Sequence, residues 1–154
     1  MKGEPLRILL VEDNDDHAEA VKRSFRRHQM RNELVHVRDG EAALDFLLGR
    51  GVYGDAGSQG SRKRPHLVIL DLRLPKIDGL EVLKVIKTTK ELVRLPVVVL
   101  TSSKAEADVV SAYEYHANSY VVKPLDFDKF VGLMKDLGFY WLAWNANPYP
   151  EEQR

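Results

Sequence analysis

The sequence predicts an α/β fold: a doubly wound sheet of five parallel strands with helices on both faces. Three observations carry this prediction. Short apolar runs rich in β-branched residues alternate along the chain with segments whose apolar residues recur at helical spacing. Most of these runs do not alternate with polar residues, which indicates strands buried on both faces. The length of 154 residues suits one domain of ordinary size.

Five short runs predict the strands. The first is Leu6–Val11, which reads Leu-Arg-Ile-Leu-Leu-Val and is followed by acidic residues. The run 34–37 alternates polar and apolar residues, so we expect it nearer the edge of the sheet. The remaining runs are rich in valine, leucine and isoleucine, and they predict strands over 67–70, 96–100 and 120–122.

The spacing of apolar residues predicts a helix after each strand. In the first helical segment, Ala18, Val21 and Phe25 fall on one face. Asp126 suits the N-cap of the last helix, because its carboxylate can accept hydrogen bonds from free backbone amides. The connection 49–65 is rich in glycine and contains a basic run, so we expect a solvated loop there. The predicted helices cover 15–29, 40–48, 80–90, 104–115 and 126–141.

The composition excludes several classes of protein. The formal net charge is zero, so we expect no nucleic-acid or membrane partner. The chain contains no cysteine, which excludes disulfides, thiolate metal sites and thiol catalysis. It lacks the apolar stretch of a signal peptide or a transmembrane helix, so we expect a cytoplasmic protein. We divide the chain into one domain over 1–138 and a C-terminal aromatic tail over 139–154.

Charged and polar residues follow four of the predicted strands. Glu12 and Asp13 follow the first strand and Asp71 follows the third. Thr101 and Lys123 follow the fourth and the fifth. In a parallel sheet these side chains gather at the edge where ligand sites form. Clustered carboxylates repel one another and a hard cation such as Mg²⁺ relieves that repulsion, so the pattern indicates a metal-assisted phosphoryl site.

Four short motifs, taken in order, resemble the receiver domain of two-component response regulators. Each motif alone is weak, but together they span nearly the whole chain. The resemblance implies the flavodoxin-like receiver fold. It also implies a signalling phosphoacceptor, rather than a turnover enzyme, that assists its own phosphorylation and dephosphorylation. The motifs are Val11-Glu12-Asp13-Asn14, Asp71-Leu72-Arg73-Leu74-Pro75 with Asp78-Gly79, Thr101-Ser102 and Lys123-Pro124.

The resemblance also implies how the acidic residues act. Asp71 would be the phosphoacceptor, taking its phosphoryl group from the phosphohistidine of a sensor histidine kinase or from a small acyl phosphate. Asp13 and Asp71 would bind Mg²⁺ directly, and Mn²⁺ or Ca²⁺ could substitute. Glu12 would help through a water molecule, and the main-chain carbonyl of Arg73 would be a further ligand.

Three more residues receive roles from the resemblance. Thr101 would hydrogen-bond the phosphoryl oxygens, and Lys123 would pair with them. Tyr120 stands where the family carries its aromatic switch residue. Phosphorylation would draw Thr101 inward and make room for Tyr120 to rotate. A cis peptide bond between Lys123 and Pro124 would aim the lysine back into the site.

The tail, the long loop and the tyrosine-rich run 113–120 together resemble single-domain regulators that pair with phytochrome-type photoreceptor kinases. Too few residues follow Leu137 for an effector domain, so we expect protein partners and no direct DNA binding. The tail contains Phe139-Tyr140-Trp141-Leu142-Ala143-Trp144, an aromatic cluster suited to a homodimer contact. The other interpretation is a tail that folds back on its own domain.

Three alternatives stay open at this point. An aspartate-nucleophile phosphatase would need a general acid two residues after Asp71, where the chain has Arg73. That cation could also alter the lifetime of a phosphorylated form. A flavodoxin-like cofactor binder would need a phosphate-binding loop where the chain has Glu12 and Asp13, which would repel phosphate. A scaffold that takes no phosphate would have little use for the complete set of acids, threonine and lysine.

Overall fold

Five parallel strands form one sheet in the computed structural model, which describes residues 6–26, 32–54 and 64–141. The strand order is β2-β1-β3-β4-β5, so the first strand lies in the interior of the sheet and the later strands extend the sheet on both sides of it. The predicted doubly wound architecture is confirmed. The strands are β1 (Leu6–Val11), β2 (Asn32–Val37), β3 (Leu67–Leu70), β4 (Val97–Thr101) and β5 (Ser119–Val122).

Each strand is followed by a helix, as the apolar spacing predicts. The Asp126 carboxylate accepts hydrogen bonds from the amides of Asp128 and Lys129, which confirms this residue as the N-cap of the last helix. The fourth helix ends at Glu114 with Tyr115 as its C-cap, after which His116 has a positive φ of 67°. The helices are α1 (Asp15–Arg26), α2 (Gly40–Leu48), α3 (Gly79–Thr88), α4 (Glu106–Glu114) and α5 (Phe127–Phe139).

Two hydrophobic clusters cover the two faces of the sheet. Leu9 and Val11 of β1 point into the cluster that includes α2 and α3, whereas Ile8 and Leu10 point into the cluster that includes α1 and α5. Successive side chains of a strand point to opposite faces, so an uninterrupted apolar run is the pattern of a strand covered on both sides. β2 lies at one edge of the sheet, as its alternating sequence predicts.

The remaining predictions concern the connections and the tail. Part of the predicted loop 49–65 forms a short 3-10 helix over Gly51–Tyr53, and Tyr53 packs edge-on against Phe46 at 5.0 Å between ring centroids. Residues 55–63, which include part of the basic run, lie outside the described residues, as do 27–31 and 142–154. Among the helices of the described part, none is long and apolar enough to cross a membrane.

Candidate functional site

The carboxyl ends of β1, β3, β4 and β5 bring the predicted site residues to one end of the sheet. Val11 pairs with Leu70, so the residues after β1 and β3 leave the sheet side by side. The amide of Asp71 donates to the carbonyl of Val11 at 3.1 Å, and the amide of Lys123 donates to the carbonyl of Thr101 at 2.8 Å. The register of the parallel strands therefore places acidic, hydroxyl and basic side chains around a single point.

Lys123 is the centre of this cluster. Its ammonium nitrogen lies 2.8 Å from Glu12 Oε1 and 3.0 Å from Asp71 Oδ2, and its side chain is only 3% exposed. Nδ1 of His17 lies 3.0 Å from the same nitrogen, so each of the three N–H donors has a partner. The predicted cis bond before Pro124 is wrong, because every described peptide bond is trans. With a trans bond before Pro124, the Lys123 ammonium group still contacts the carboxylates of Glu12 and Asp71.

The acidic residues form a group suited to a hard cation. Carboxylate oxygens of Glu12, Asp13 and Asp71 lie within 4.8 Å of one another. Glu12 and Asp71 are buried and Asp13 is exposed, so the cluster has one side open to solvent. All the donors are oxygens, which suits Mg²⁺, Mn²⁺ or Ca²⁺ and not a soft metal.

Burial controls the protonation of Glu12. Desolvation raises the pKa of its carboxyl group to about 7, although Lys123 opposes the shift. The charge of Asp71 adds to the increase. A bound cation would add positive charge at this edge and would favour the ionised form of Glu12. This is the electrostatic reason to expect a cation here.

Thr101 and Tyr120 lie on neighbouring strands beside the acidic cluster. Thr101 is buried, and its hydroxyl oxygen lies 3.4 Å from the amide nitrogen of Ser103, which donates to it. Tyr120 is half-buried and packs against the hydrophobic cluster that includes α3. Its hydroxyl donates to the carbonyl of Ser103 at 2.9 Å. One residue of the β4–α4 loop therefore contacts both side chains.

Arg73 lies in the loop after Asp71. Its amide donates to Asp71 Oδ1 at 3.4 Å, which brings its backbone beside the phosphoacceptor candidate. Its guanidinium group extends to α4, where it pairs with the carboxylate of Asp108. The side chain is 59% exposed.

Gly79 closes the loop after Asp71. Its amide donates to the carbonyl of Leu72 at 2.8 Å. A Cβ atom at this position would lie 2.2 Å from the carbonyl oxygen of Asp71 and 2.6 Å from Cα of Leu72. Only glycine allows this approach without a shift of the backbone, so the motif Asp78-Gly79 has a steric cause.

His17, Ser103 and Asp108 belong to the site but escaped the sequence analysis. His17 lies on α1, its ring is 5.1 Å from that of Phe130, and it faces Lys123 across 106 positions of the chain. Asp108 accepts a hydrogen bond from the Ser103 hydroxyl at 2.6 Å. No motif distinguishes these residues from surface residues, because their contacts depend on how α1 and α4 sit beside the sheet.

Known proteins resemble this chain in both sequence and structure. The family model of the response regulator receiver domain matches residues 8–135. The chain is 45% identical to a probable methanogenesis regulatory protein, FilR2, of Methanothrix harundinacea, over 96% of this chain and 90% of that protein.

Two solved structures resemble this one along nearly their whole length. The Mn²⁺-bound form of response regulator Rcp1, a protein known from Synechocystis sp., has a TM-score of 0.87 and 39% identity, covering 94% of this chain and 99% of that one. The phosphorylated cyanobacterial phytochrome response regulator RcpA has a TM-score of 0.86 and 36% identity over the same shares.

Proposed function

The chain belongs to the response regulator receiver family, and from this premise we propose that Asp71 is the residue on which it carries the phosphoryl group. A two-component receiver accepts that group from a sensor histidine kinase. One observation carries the assignment: the Asp71 carboxylate is in contact with Lys123 and lies within the group of acids that suits a cation. The chain is a signalling phosphoacceptor, which we expect to assist its own phosphorylation and dephosphorylation.

The transfer requires little covalent chemistry from the protein. A carboxylate oxygen of Asp71 attacks the phosphorus atom of the donor phosphohistidine, and a P–O bond forms as the P–N bond breaks. The imidazole keeps the electron pair of the broken bond and takes up a proton. Lys123, already 3.0 Å from Asp71 Oδ2, offers its positive charge to the phosphoryl oxygens.

We propose that Glu12, Asp13, Asp71 and the main-chain carbonyl of Arg73 hold Mg²⁺. The bound cation would neutralise charge on the phosphoryl group as it is transferred. Asp13, which is exposed, provides the open side of the site, and buried Glu12 acts through water. The similar protein Rcp1 has a Mn²⁺-bound form, which supports the proposal that this chain binds a divalent cation.

We further propose that Thr101 and Tyr120 relay the phosphorylation. Thr101 would hydrogen-bond a phosphoryl oxygen and thereby give up its contact with the Ser103 amide, which is long at 3.4 Å. Tyr120 would then change rotamer, since its hydroxyl contacts the same loop residue. The result is a changed surface on α4 and β5.

Intact-mass spectrometry tests the assignment of Asp71. The protein is incubated with acetyl phosphate, with and without Mg²⁺, beside the variant Asp71→Asn. We expect the mass of one phosphoryl group to be added only when both Mg²⁺ and Asp71 are present. Equal labelling of Asp71→Asn would contradict the assignment, and labelling that persists in chelator would contradict the role of the metal.

The kinase partner is proposed from the relatives. RcpA is a phytochrome response regulator, and bacteriophytochrome response regulators 40% and 43% identical to this chain are further structural neighbours. These similarities favour a phytochrome-type kinase. Leu125 and Phe127 are 98% and 50% exposed and lie one and three residues after Pro124, so they offer a kinase an apolar contact beside the site.

FilR2 favours a second candidate, a regulatory pathway without a photoreceptor, because its identity of 45% exceeds that of Rcp1 at 40%. Phosphotransfer profiling distinguishes the two candidates. The chain is mixed with a phosphorylated phytochrome-type kinase and with a phosphorylated histidine kinase that lacks a chromophore domain. Faster transfer from the first would support the photoreceptor pathway, and faster transfer from the second would contradict it.

We also propose that the chain forms a homodimer through its aromatic tail. Tail residues 139–141 lie within the described part, where the Tyr140 side chain is 49% exposed and its ring packs edge-on against that of Trp141 at 5.3 Å. Aromatic side chains of this kind are common anchors of protein interfaces.

A further inference from the structure

Asp108, in the first turn of α4, is in contact with two loops of the site at once. Its Oδ2 atom accepts from the guanidinium group of Arg73 and from the hydroxyl of Ser103, the latter at 2.6 Å. Arg73 follows β3 and Ser103 follows β4, so one carboxylate joins the loops after two neighbouring strands. We name the three side chains of Arg73, Asp108 and Ser103 the α4 clasp.

The two ends of the α4 clasp contact Asp71, Thr101 and Tyr120, which are the residues of the proposed phosphorylation switch. At one end, the Arg73 amide contacts Asp71 Oδ1. At the other end, the Ser103 carbonyl accepts from the Tyr120 hydroxyl, and the Ser103 amide contacts the Thr101 hydroxyl. A change in the partner of Arg73 can therefore reach Tyr120 through contacts that already exist.

A phosphoryl group on Asp71 would compete with Asp108 for Arg73. The aspartyl phosphate carries close to two negative charges, where the free carboxylate carries one, and it presents three acceptor oxygens two residues from the arginine. A guanidinium group binds phosphate in a bidentate manner, and the Arg73 side chain is 59% exposed and able to move. The Asp108 carboxylate carries one charge and is already shared with Ser103.

Asp108 can give up the arginine without becoming an unpaired buried charge. Its side chain is 13% exposed, so loss of all partners would be unfavourable. It keeps the Ser103 hydroxyl, and it lies in the first turn of α4, where the helix dipole favours a negative charge. These contacts make an exchange of partners feasible.

We propose that Asp108 holds the Arg73 side chain on α4 in the unphosphorylated protein and releases it to the phosphoryl group on Asp71. The exchange would lengthen the lifetime of the phosphoryl group and would loosen the β4–α4 loop that anchors Tyr120. The inference rests on the proposed function, because it requires phosphorylation of Asp71.

A double-mutant cycle tests the inference. The half-life of the phosphoryl group is followed by intact mass after acetyl phosphate has been removed, with Mg²⁺ retained. Asp108→Asn removes the nearer of the two charges beside Arg73 and keeps the shape of the side chain, while Asp78, whose Oδ1 lies 4.0 Å from Arg73 Nη1, is present in every variant. We expect a half-life longer by about two- to fivefold, the factor that corresponds to the loss of one partly exposed ion pair. In the Arg73→Gln background, Asp108→Asn should leave the half-life unchanged.

The matched control is Glu106→Gln, which removes the same charge from the same turn of α4 and should leave the half-life unchanged. A second readout is hydrogen exchange of the loop 102–105, which we expect to be faster in unphosphorylated Arg73→Gln than in the unmodified chain. This readout does not depend on whether Asp108→Asn folds.

The outcomes separate this inference from the proposed function. Equal half-lives for Asp108→Asn and the unmodified chain would overturn the inference but not the proposed function. The inference would also be overturned if Asp108→Asn lengthened the half-life as much in the Arg73→Gln background as in the unmodified chain. Hydrogen exchange of the loop 102–105 that is no faster in Arg73→Gln than in the unmodified chain would overturn the inference as well. A chain that gains no phosphoryl group, from acetyl phosphate or from a phosphorylated kinase, would overturn both.

Discussion

At the scale of single residues, Lys123 and Glu12 determine the electrostatics of the site. Both side chains are almost completely buried, and their contact of 2.8 Å is an ion pair removed from water. Such a pair is not a strong source of stability, but loss of one partner leaves an uncompensated charge. The site therefore holds its acids close together only while a positive charge is present.

The first prediction concerns the pH dependence of metal binding. The pKa of Glu12 is raised to about 7 in the folded, metal-free protein, from a value of 4.5. A proton therefore competes with Mg²⁺ below pH 7, and the affinity should rise with pH up to about 7 and then level off. Isothermal titration calorimetry between pH 5.5 and about pH 8 measures this. Glu12→Gln should remove most of the pH dependence, and an unchanged profile in that variant would contradict the assignment.

The same shift has a consequence for stability without metal. Between pH 4.5 and about 7, the folded state holds a proton on Glu12 that the unfolded state has lost. The contribution of this group to the free energy of unfolding should therefore decrease as pH rises through that window.

The second prediction concerns Lys123. We expect Lys123→Met to lower the free energy of unfolding by about 3 kcal/mol at pH 8 in chelator, because Glu12 and Asp71 lose their buried cation. Mg²⁺ should restore a large part of that loss, since it supplies positive charge at the same acids. Urea unfolding with and without Mg²⁺ measures both effects. Lys129→Met, on the exposed side of α5, is the control, and equal losses in the two variants would contradict the prediction.

At the scale of elements, helix ends and loop geometry hold the site in place. The Asp78 carboxylate accepts from the amide of Leu80 at 3.3 Å and begins α3, directly after the loop that carries Asp71. Lys87 at the other end of α3 donates to the carbonyl of Leu95 at 2.7 Å, and burial lowers its pKa. The α3 helix is therefore tied at both ends to the connections on either side of it.

The third prediction compares two glycines. Gly79→Ala should lower the free energy of unfolding by at least about 2 kcal/mol, because the new methyl group would meet the backbone of Asp71 and Leu72. Gly132→Ala in α5 should raise it by about 0.5–1 kcal/mol, because nothing lies within 4 Å of the new atom and alanine favours the helix. Urea unfolding measures both variants. A stable Gly79→Ala with normal phosphorylation would show that the loop can move aside.

At the scale of the whole molecule, hydrophobic clusters cover both faces of the sheet, and the candidate site lies at the carboxyl ends of its strands. Interior strands β1 and β3 supply the acids, whereas β4 and β5 supply the hydroxyl and basic groups. We expect the helices and loops around this edge to be the signalling surfaces, because they can change while the covered strands stay in place.

The fourth prediction concerns assembly through the tail. We expect the full chain to sediment as a dimer, and a chain ending at Gly138 to sediment as a monomer with its phosphorylation intact. Sedimentation velocity over a range of concentrations measures the mass. The control is Tyr113→Ala, which removes an exposed aromatic side chain of α4 outside the tail. A truncated chain that remains dimeric would place the interface elsewhere.

The sequence by itself determined the strands and helices and the candidate site residues that directly follow the strands. Local periodicity distinguishes buried strands from helices, and the residue that follows each strand is adjacent in the chain, so Asp71, Thr101 and Lys123 could be identified without coordinates. The tertiary structure alone decided the strand order, the trans bond before Pro124, and the partners His17 and Asp108. The physical reason is that these contacts join side chains far apart in the chain. Their distances depend on how the helices pack on the sheet, which no local pattern encodes.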